Sequence, residues 1–226
     1  MRISAFRSAL ASVALCCPAR GLAQTVDAGA FVILREGQQV GREDFTVRRG
    51  HTAGPAFTIT STASYPAVRP AVTITVTLEL GTDTMPSAAQ FDVAGVDERR
   101  IYALLGARRV TLRTVRPGRE GAREYPGMTR RLVFDDSVFA LHALMPRESG
   151  PSSTAFAPRT ERRSAAATTW LGEGRTAIGG LVHTLNHAVL RIGDQSRHLW
   201  YDASGRLMKI EDAATGLVAE RQEVPR

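Results

Sequence analysis

From Ala30 onward, apolar and polar residues alternate in short runs rich in Val, Ile, Thr and Phe, separated by Gly, Asp and Pro. A period of two places alternate side chains on opposite faces of a strand, so the pattern is that of an antiparallel meander. Residues 72–80 alternate without a fault, which calls for a buried apolar face and a wet threonine face. Residues 31–35 and 39–47 flank Glu36-Gly37-Gln38, where Gly37 can take the positive φ of a tight hairpin. In the second of these runs Val40, Arg42, Asp44 and Thr46 alternate with Gly41, Glu43, Phe45 and Val47. Neither face is purely apolar, and an edge or solvent-facing strand is expected.

Further strands are expected at 57–62, 88–93, 109–115 and 119–125, then at 177–178, 181–192, 197–202, 206–212 and 218–223, while 155–157 and 166–171 pair as strands or belong to a loop. Residues 98–106 read equally as strand or helical turn. One helix is expected to start at Asp135 or Asp136, whose carboxylate suits an N-cap and the positive end of the helix dipole. Val138, Leu141 and Met145, flanked by Phe139 and Leu144, recur at helical spacing until Pro146. Ten to twelve strands and one helix lack the alternation of doubly wound α/β folds and leave a mainly β protein built on a large curved antiparallel sheet.

Residues 1–23 read as a secretory signal, with basic Arg2 and Arg7, an apolar stretch over 9–17, and Gly21-Leu22-Ala23 before a cleavage point at Gln24. The stretch is too short to span a bilayer, although an uncleaved anchor is the alternative. The expected division is a signal at 1–23 and a single β-rich domain at 24–226, placed in the periplasm or secreted. Cys16 and Cys17 both fall in the signal, which leaves the mature chain without a thiol or a disulfide. Neither follows a small residue, as a lipoprotein cysteine would.

The whole chain has 226 residues, 43% of them apolar, enough for a sizeable core. Lys209 is the only lysine among 29 basic residues, a bias that reads as genome composition. Losing Arg2, Arg7 and Arg20 with the signal lowers the net charge from +7 to +4. Scattered arginines and 6% aromatics do not form the concentrated basic face that nucleic acid requires.

Signals for chemistry are sparse. His183 and His187 lie four apart and with His198 could offer three nitrogens to zinc. No Glu stands in a His-Glu-x-x-His arrangement, and on a strand positions four apart are about 13 Å apart. Ordinary sheet histidines are expected, and no metal site. No Gly-x-Ser-x-Gly elbow or phosphate loop occurs, and Asp135-Asp136 reads as a helix cap. No catalytic residue and no cofactor is assigned. Residues 200–207, beginning Trp200-Tyr201-Asp202 and closing Gly205-Arg206-Leu207, read as a structural hairpin, or as a place where Trp200 and Tyr201 line a cavity inside the sheet.

A signal segment, an opening pair over 31–47 with Val40-Gly41, a middle Leu132-Val133-Phe134-Asp135-Asp136 and a closing Leu199-Trp200-Tyr201-Asp202 to Gly205-Arg206-Leu207 resemble uncharacterised exported bacterial proteins. Those are similar in turn to the periplasmic lipoprotein carrier and its outer-membrane receptor. The resemblance spans roughly 31–223 and rests on short motifs. It implies a half-open barrel whose concave apolar face is lidded by one or a few helices and, in the carriers, holds acyl chains.

The leading expectation is a non-enzymatic periplasmic protein that holds an apolar or amphipathic ligand, a lipid or lipidated partner, in the concavity of the sheet. Val138, Leu141, Met145, Trp200 and Tyr201 are the candidate lining residues. The alternative is an envelope assembly or scaffold protein with a filled core that acts through surface contacts; a hydrolase is a third reading. Short, irregular strands without aromatic girdles do not fit an outer-membrane barrel. Fused to a reporter active only outside the cytoplasm, residues 1–30 are expected to confer activity, with a mature N-terminus at Gln24. Full-length chain beginning at Met1 in the membrane fraction would show an anchor instead.

Overall fold

The computed structural model describes residues 24–50, 54–67, 69–145 and 152–223. The expected signal, Cys16, Cys17 and Pro146 lie outside them. The described strands are β1 (Gln24–Arg35), β2 (Gln38–Arg49), β3 (Phe57–Tyr65), β4 (Val72–Leu80), β5 (Pro86–Ala94), β6 (Arg99–Leu105), β7 (Arg109–Arg116) and β8 (Arg119–Pro126). They continue with β9 (Arg131–Val133), β10 (Ser153–Ala157), β11 (Arg162–Ile178), β12 (Leu181–Ile192), β13 (Gln195–Tyr201), β14 (Leu207–Asp212) and β15 (Leu217–Arg221).

All fifteen belong to one sheet in the order β8-β7-β6-β5-β4-β3-β2-β1-β15-β14-β13-β12-β11-β10-β9. The first and last strands pair in its middle, Phe31 opposite Arg221 and Arg35 opposite Leu217. Two meanders run outward from that seam. Every neighbouring pair is antiparallel except β9 with β10. Alternation along each strand turns one face inward: Ile74, Val76, Leu78 and Leu80 of β4 are buried, while Thr75 between them is exposed. The same parity buries Ile59 and Ala63, Phe91, Ile101 and Ala103, Leu199 and Ile210, and all join one continuous core.

Curling the sheet to close this core brings its two ends together without pairing them. Arg131 of β9 donates from Nε to the carbonyl of Pro86 at the start of β5. Beyond that contact β6 to β8 continue past β9 and lie against the β10–β11 end. Arg99 Nη2 donates to Arg159 O at 3.1 Å, Arg123 meets Glu161 at 2.6 Å, and the Tyr125 ring lies 5.6 Å from that of Phe156. The barrel is therefore open, with β8 and β9 as its edges.

Three expectations need correction. No α-helix is present among the described residues; residues 134–145 hold only one 3₁₀ turn, Ala140–His142, although they lie on the concave face where helices were expected. Second, β2 is not an edge: it pairs with β1 and β3 along its length, and its Glu43 points inward at 0% exposure. Third, fifteen strands are described where ten to twelve were expected: 99–105 and 155–157 are strands, short β9 was not anticipated, and 166–171 and 177–178 run together in β11. No helix among the described residues is long and apolar enough to cross a membrane.

Phe91 is fully buried on the inner wall, whereas Leu104 is 64% exposed on the outer one. Phe91→Ala should cost about 3–5 kcal/mol of unfolding free energy in urea titrations. Leu104→Ala should stay within about 0.5 kcal/mol. Similar losses for both would contradict the assignment of faces.

Candidate functional site

Residues 134–145 run through the barrel interior, with Phe134, Asp135 and the run from Val138 to Ala143 all buried. A helix would satisfy its own backbone there; this segment relies on the walls instead. Glu43 of β2 accepts from Phe139 N at 2.8 Å and Ala140 N at 3.0 Å, and from the Ser61 hydroxyl at 2.5 Å. The hydroxyl of Tyr65 on β3 donates to Ser137 O at 2.6 Å, and that of Tyr201 on β13 to His142 O at 2.8 Å. Arg197 of β13 donates to Asp135 O and to His142 Nε2, each at 3.0 Å. Asp135 Oδ1 accepts from Ser137 N, two residues on, which turns the chain as an Asx turn does.

Charges at the start of the segment are matched in place. Arg159 grips Asp135 with two bonds of 2.6 and 2.7 Å. Arg197, 2% exposed, meets Asp136 at 2.8 Å and Asp212 at 2.9 Å, and Arg162 meets Asp136 at 2.9 Å. The Phe134 ring lies beneath both Arg162 and Arg197. The two aspartates therefore anchor the segment through salt bridges, where helix capping was expected. Glu43 does the capping, 97 residues away from Ala140.

Burial governs titration here. Among the described residues Glu43 forms no ion pair, and desolvation pushes its pKa up from 4.5 to about 7 against the bonds from Ser61, Phe139 and Ala140, with nearby Asp135 adding to the rise. His142 is held neutral well below 6.5 by burial and then by the Arg197 charge. Its Nε2 accepts from Arg197, so the proton sits on Nδ1, which has no partner among the described residues.

The expected lining residues separate. Val138 is packed into the main core, while Leu141 and Met145 border a cleft of about 70 Å³ where β9 meets β4 and β5. Leu78, Leu80, Pro86, Leu132 and Leu144 complete its apolar wall, and Arg130 and Arg131 stand at its rim. Tyr201 faces inward, its ring 5.4 Å from Trp170. Trp200, one residue earlier, points to the opposite face and cannot share a cavity with it. There Trp200 joins Ile178, Leu185 and Met208 in a separate small core.

That outer core exists because the β11–β12 hairpin bends at a bulge between Trp170 and Gly172 and folds back over β13, β14 and β15. Gly172 takes φ +86° at the bulge, and a Cβ on Gly174 would stand 2.9 Å from the Trp200 ring. Lys209 ties the tip down through Ala177 O at 2.9 Å, while Gly179 N donates to Glu220 at 3.0 Å. His187 stacks on Trp200 with ring centroids 3.9 Å apart and lies 2.9 Å, Nε2 to Nδ1, from His198. Burial and then His198 lower its pKa, while Glu211 opposes them. No group of three or more His, Cys, Asp or Glu residues able to hold a metal occurs among the described residues.

Sequence reasoning missed Glu43, Tyr65, Arg159 and Arg197. Only Glu43 left a usable signal, a carboxylate at an inward position of an otherwise apolar alternation. Its raised pKa favours the folded state while the carboxyl is protonated. That contribution is fully present below pH 4.5 and is lost as pH rises through about 7, on the order of 3 kcal/mol in all. His142 works in the opposite sense, because its unfolded form takes up a proton below 6.5. Subtracting the Glu43→Gln profile from that of the unaltered protein therefore isolates the carboxyl. From pH 4.5 to 8.5 the unfolding free energy of the unaltered protein should fall by about 3 kcal/mol relative to that of the variant, and parallel profiles would contradict the burial of the carboxyl.

No protein-family model matches the chain, and no curated protein does. Among solved structures it is similar to a beta-barrel-like protein of domain of unknown function DUF1849 from Brucella abortus, with a TM-score of 0.52 at 10% sequence identity. The match covers 87% of this chain and 94% of that one. At that identity the likeness speaks for the fold: a barrel-like, mainly antiparallel sheet shared with a bacterial protein of unknown function.

Proposed function

We propose that this chain is an exported, non-enzymatic scaffold or assembly protein: a filled barrel that acts through its surface. One observation carries the reading. The concave face, where a carrier would hold its ligand, is occupied by the protein's own residues 134–145, anchored from β2, β3 and β13. Among the described residues, the cleft bordering that segment measures about 70 Å³. Pockets for small molecules and lipids run from about 300 to 1,000 Å³, so the cleft would admit only the tip of an aliphatic chain. Seating a whole acyl chain would require the segment to leave, which would expose Asp135, Arg197 and Asp212 without their partners.

The same anchoring argues against catalysis. Ser61 lies beside Glu43 in the manner of a nucleophile and base, but both are buried, and the Glu43 carboxylate that accepts from Ser61 also accepts from the inner segment. Arg197 likewise donates to His142 and to the Asp135 carbonyl, and Arg159 holds the Asp135 carboxylate. The basic, apolar and small-residue sequence of 1–23 supports export.

Protein purified from envelope extracts without detergent should carry no stoichiometric lipid in native mass spectrometry. Fluorescent fatty-acid analogues should show no saturable uptake, and Leu141→Ala should leave that result unchanged. A retained amphiphile at one per chain, released by Leu141→Asp while the β-sheet circular dichroism persists, would overturn the filled-barrel reading in favour of a carrier.

A further inference from the structure

The scaffold reading leaves open which surface makes contacts, and among the described residues β8 is the longer of the two strands that pair on one side only. This eight-residue strand ends the sheet and is exposed along nearly its whole length. Among the described residues it pairs only with β7, so every second residue turns its N–H and C=O away from the sheet. Side chains of β8 divide by charge. Arg119 and Arg123 share the inward parity with Gly121, whereas Glu120 and Glu124 share the outward parity with Ala122, beside Arg113 and Arg109 of β7. Arg119 has no ion pair among the described residues. A groove of about 160 Å³ lies along the strand between Leu112, Gly121, Ala122 and Glu161.

This division disfavours the simplest occupant, a second copy of the strand. Two β8 edges related by a two-fold axis must pair residues of the same parity, because opposed residues in an antiparallel pair point to the same side. Centring the axis on Gly121 opposes Arg119 with Arg123, and centring it on Ala122 opposes Glu120 with Glu124. Centring it on any of the four charged residues opposes that residue with itself. Like charges directly opposite are destabilising. A foreign strand escapes the constraint, since it can offer acid on the side of the arginines and base on the side of the glutamates.

We propose that the free edge of β8 docks an extended segment of a different protein, running antiparallel and carrying a base-acid-x-x-base-acid pattern. This rests on the scaffold reading and gives it an interface. Main-chain bonds supply attachment, and the two charged faces set register and exclude self-pairing.

The probe is the peptide acetyl-Thr-Lys-Glu-Val-Thr-Lys-Glu-Thr-amide, titrated onto the purified full chain and followed by hydrogen exchange. Saturable binding should protect amides within residues 119–125. Methylating alternate peptide amides should weaken it at least tenfold, as should replacing its four charged residues by serine. Arg119→Glu, a change at an exposed side chain, should weaken it several-fold with the circular dichroism unaltered. Absence of saturable binding, protection away from β8, or indifference to amide methylation would overturn the proposal. The amphiphile titration reads the interior and not this edge, so the docking proposal and the scaffold reading can fail separately.

Discussion

A stretch of chain that runs through a barrel without forming a helix must find partners for its own peptide groups. That requirement organises this protein. Each buried N–H or C=O left unmade would cost about 1–3 kcal/mol. The walls answer with Glu43 for two amides and with Tyr65, Tyr201 and Arg197 for three carbonyls. These residues come from both meanders, β2 and β3 on one side of the central seam and β13 on the other. The inner segment thus joins two halves of a sheet whose edges never pair.

Buried charges follow from the same arrangement. Asp135, Asp136 and Asp212 lie among Arg159, Arg162 and Arg197, and the segment can enter the barrel in only one register if all these pairs are to form. An apolar plug of equal volume could match this stability, since desolvation offsets much of the Coulomb attraction. The ionic arrangement adds positional specificity. On the outer face Lys209 does similar work for the β11–β12 tip: its ammonium reaches Ala177 O, Glu211 and Glu220 from one position. The chain's sole lysine stands where a compact, many-donor cation suits the geometry.

Strands with regular alternation and clear turns were legible down to their ends: 72–80 and 181–192 have the bounds expected from sequence. Local pattern failed where partners lie far apart in the chain. Residues 135–145 show helical spacing, yet their backbone bonds go to side chains roughly 60 to 100 residues distant. Asp135 and Asp136 look like caps because adjacency is visible in sequence, whereas Arg159, Arg162 and Arg197 are not visibly paired with them. β2 looked like an edge because Glu43 and Arg42 fall on opposite faces; only the fold shows that the inward carboxylate meets amides. Trp200 and Tyr201 were grouped by adjacency, although consecutive strand residues point to opposite faces, and the hairpin that covers Trp200 could not be foreseen from its neighbours.

If the inner segment is integral to the barrel, its amides can open only when the barrel does. Residue-resolved hydrogen exchange under native conditions measures this directly. The amides of Phe139, Ala140, His142 and Ala143 should exchange with the free energy of global unfolding, alongside Val76 and Phe91 of the wall. Exchange of those four amides at the rate of an exposed loop, while the wall stays protected, would show a segment that leaves the barrel freely and would contradict the filled interior.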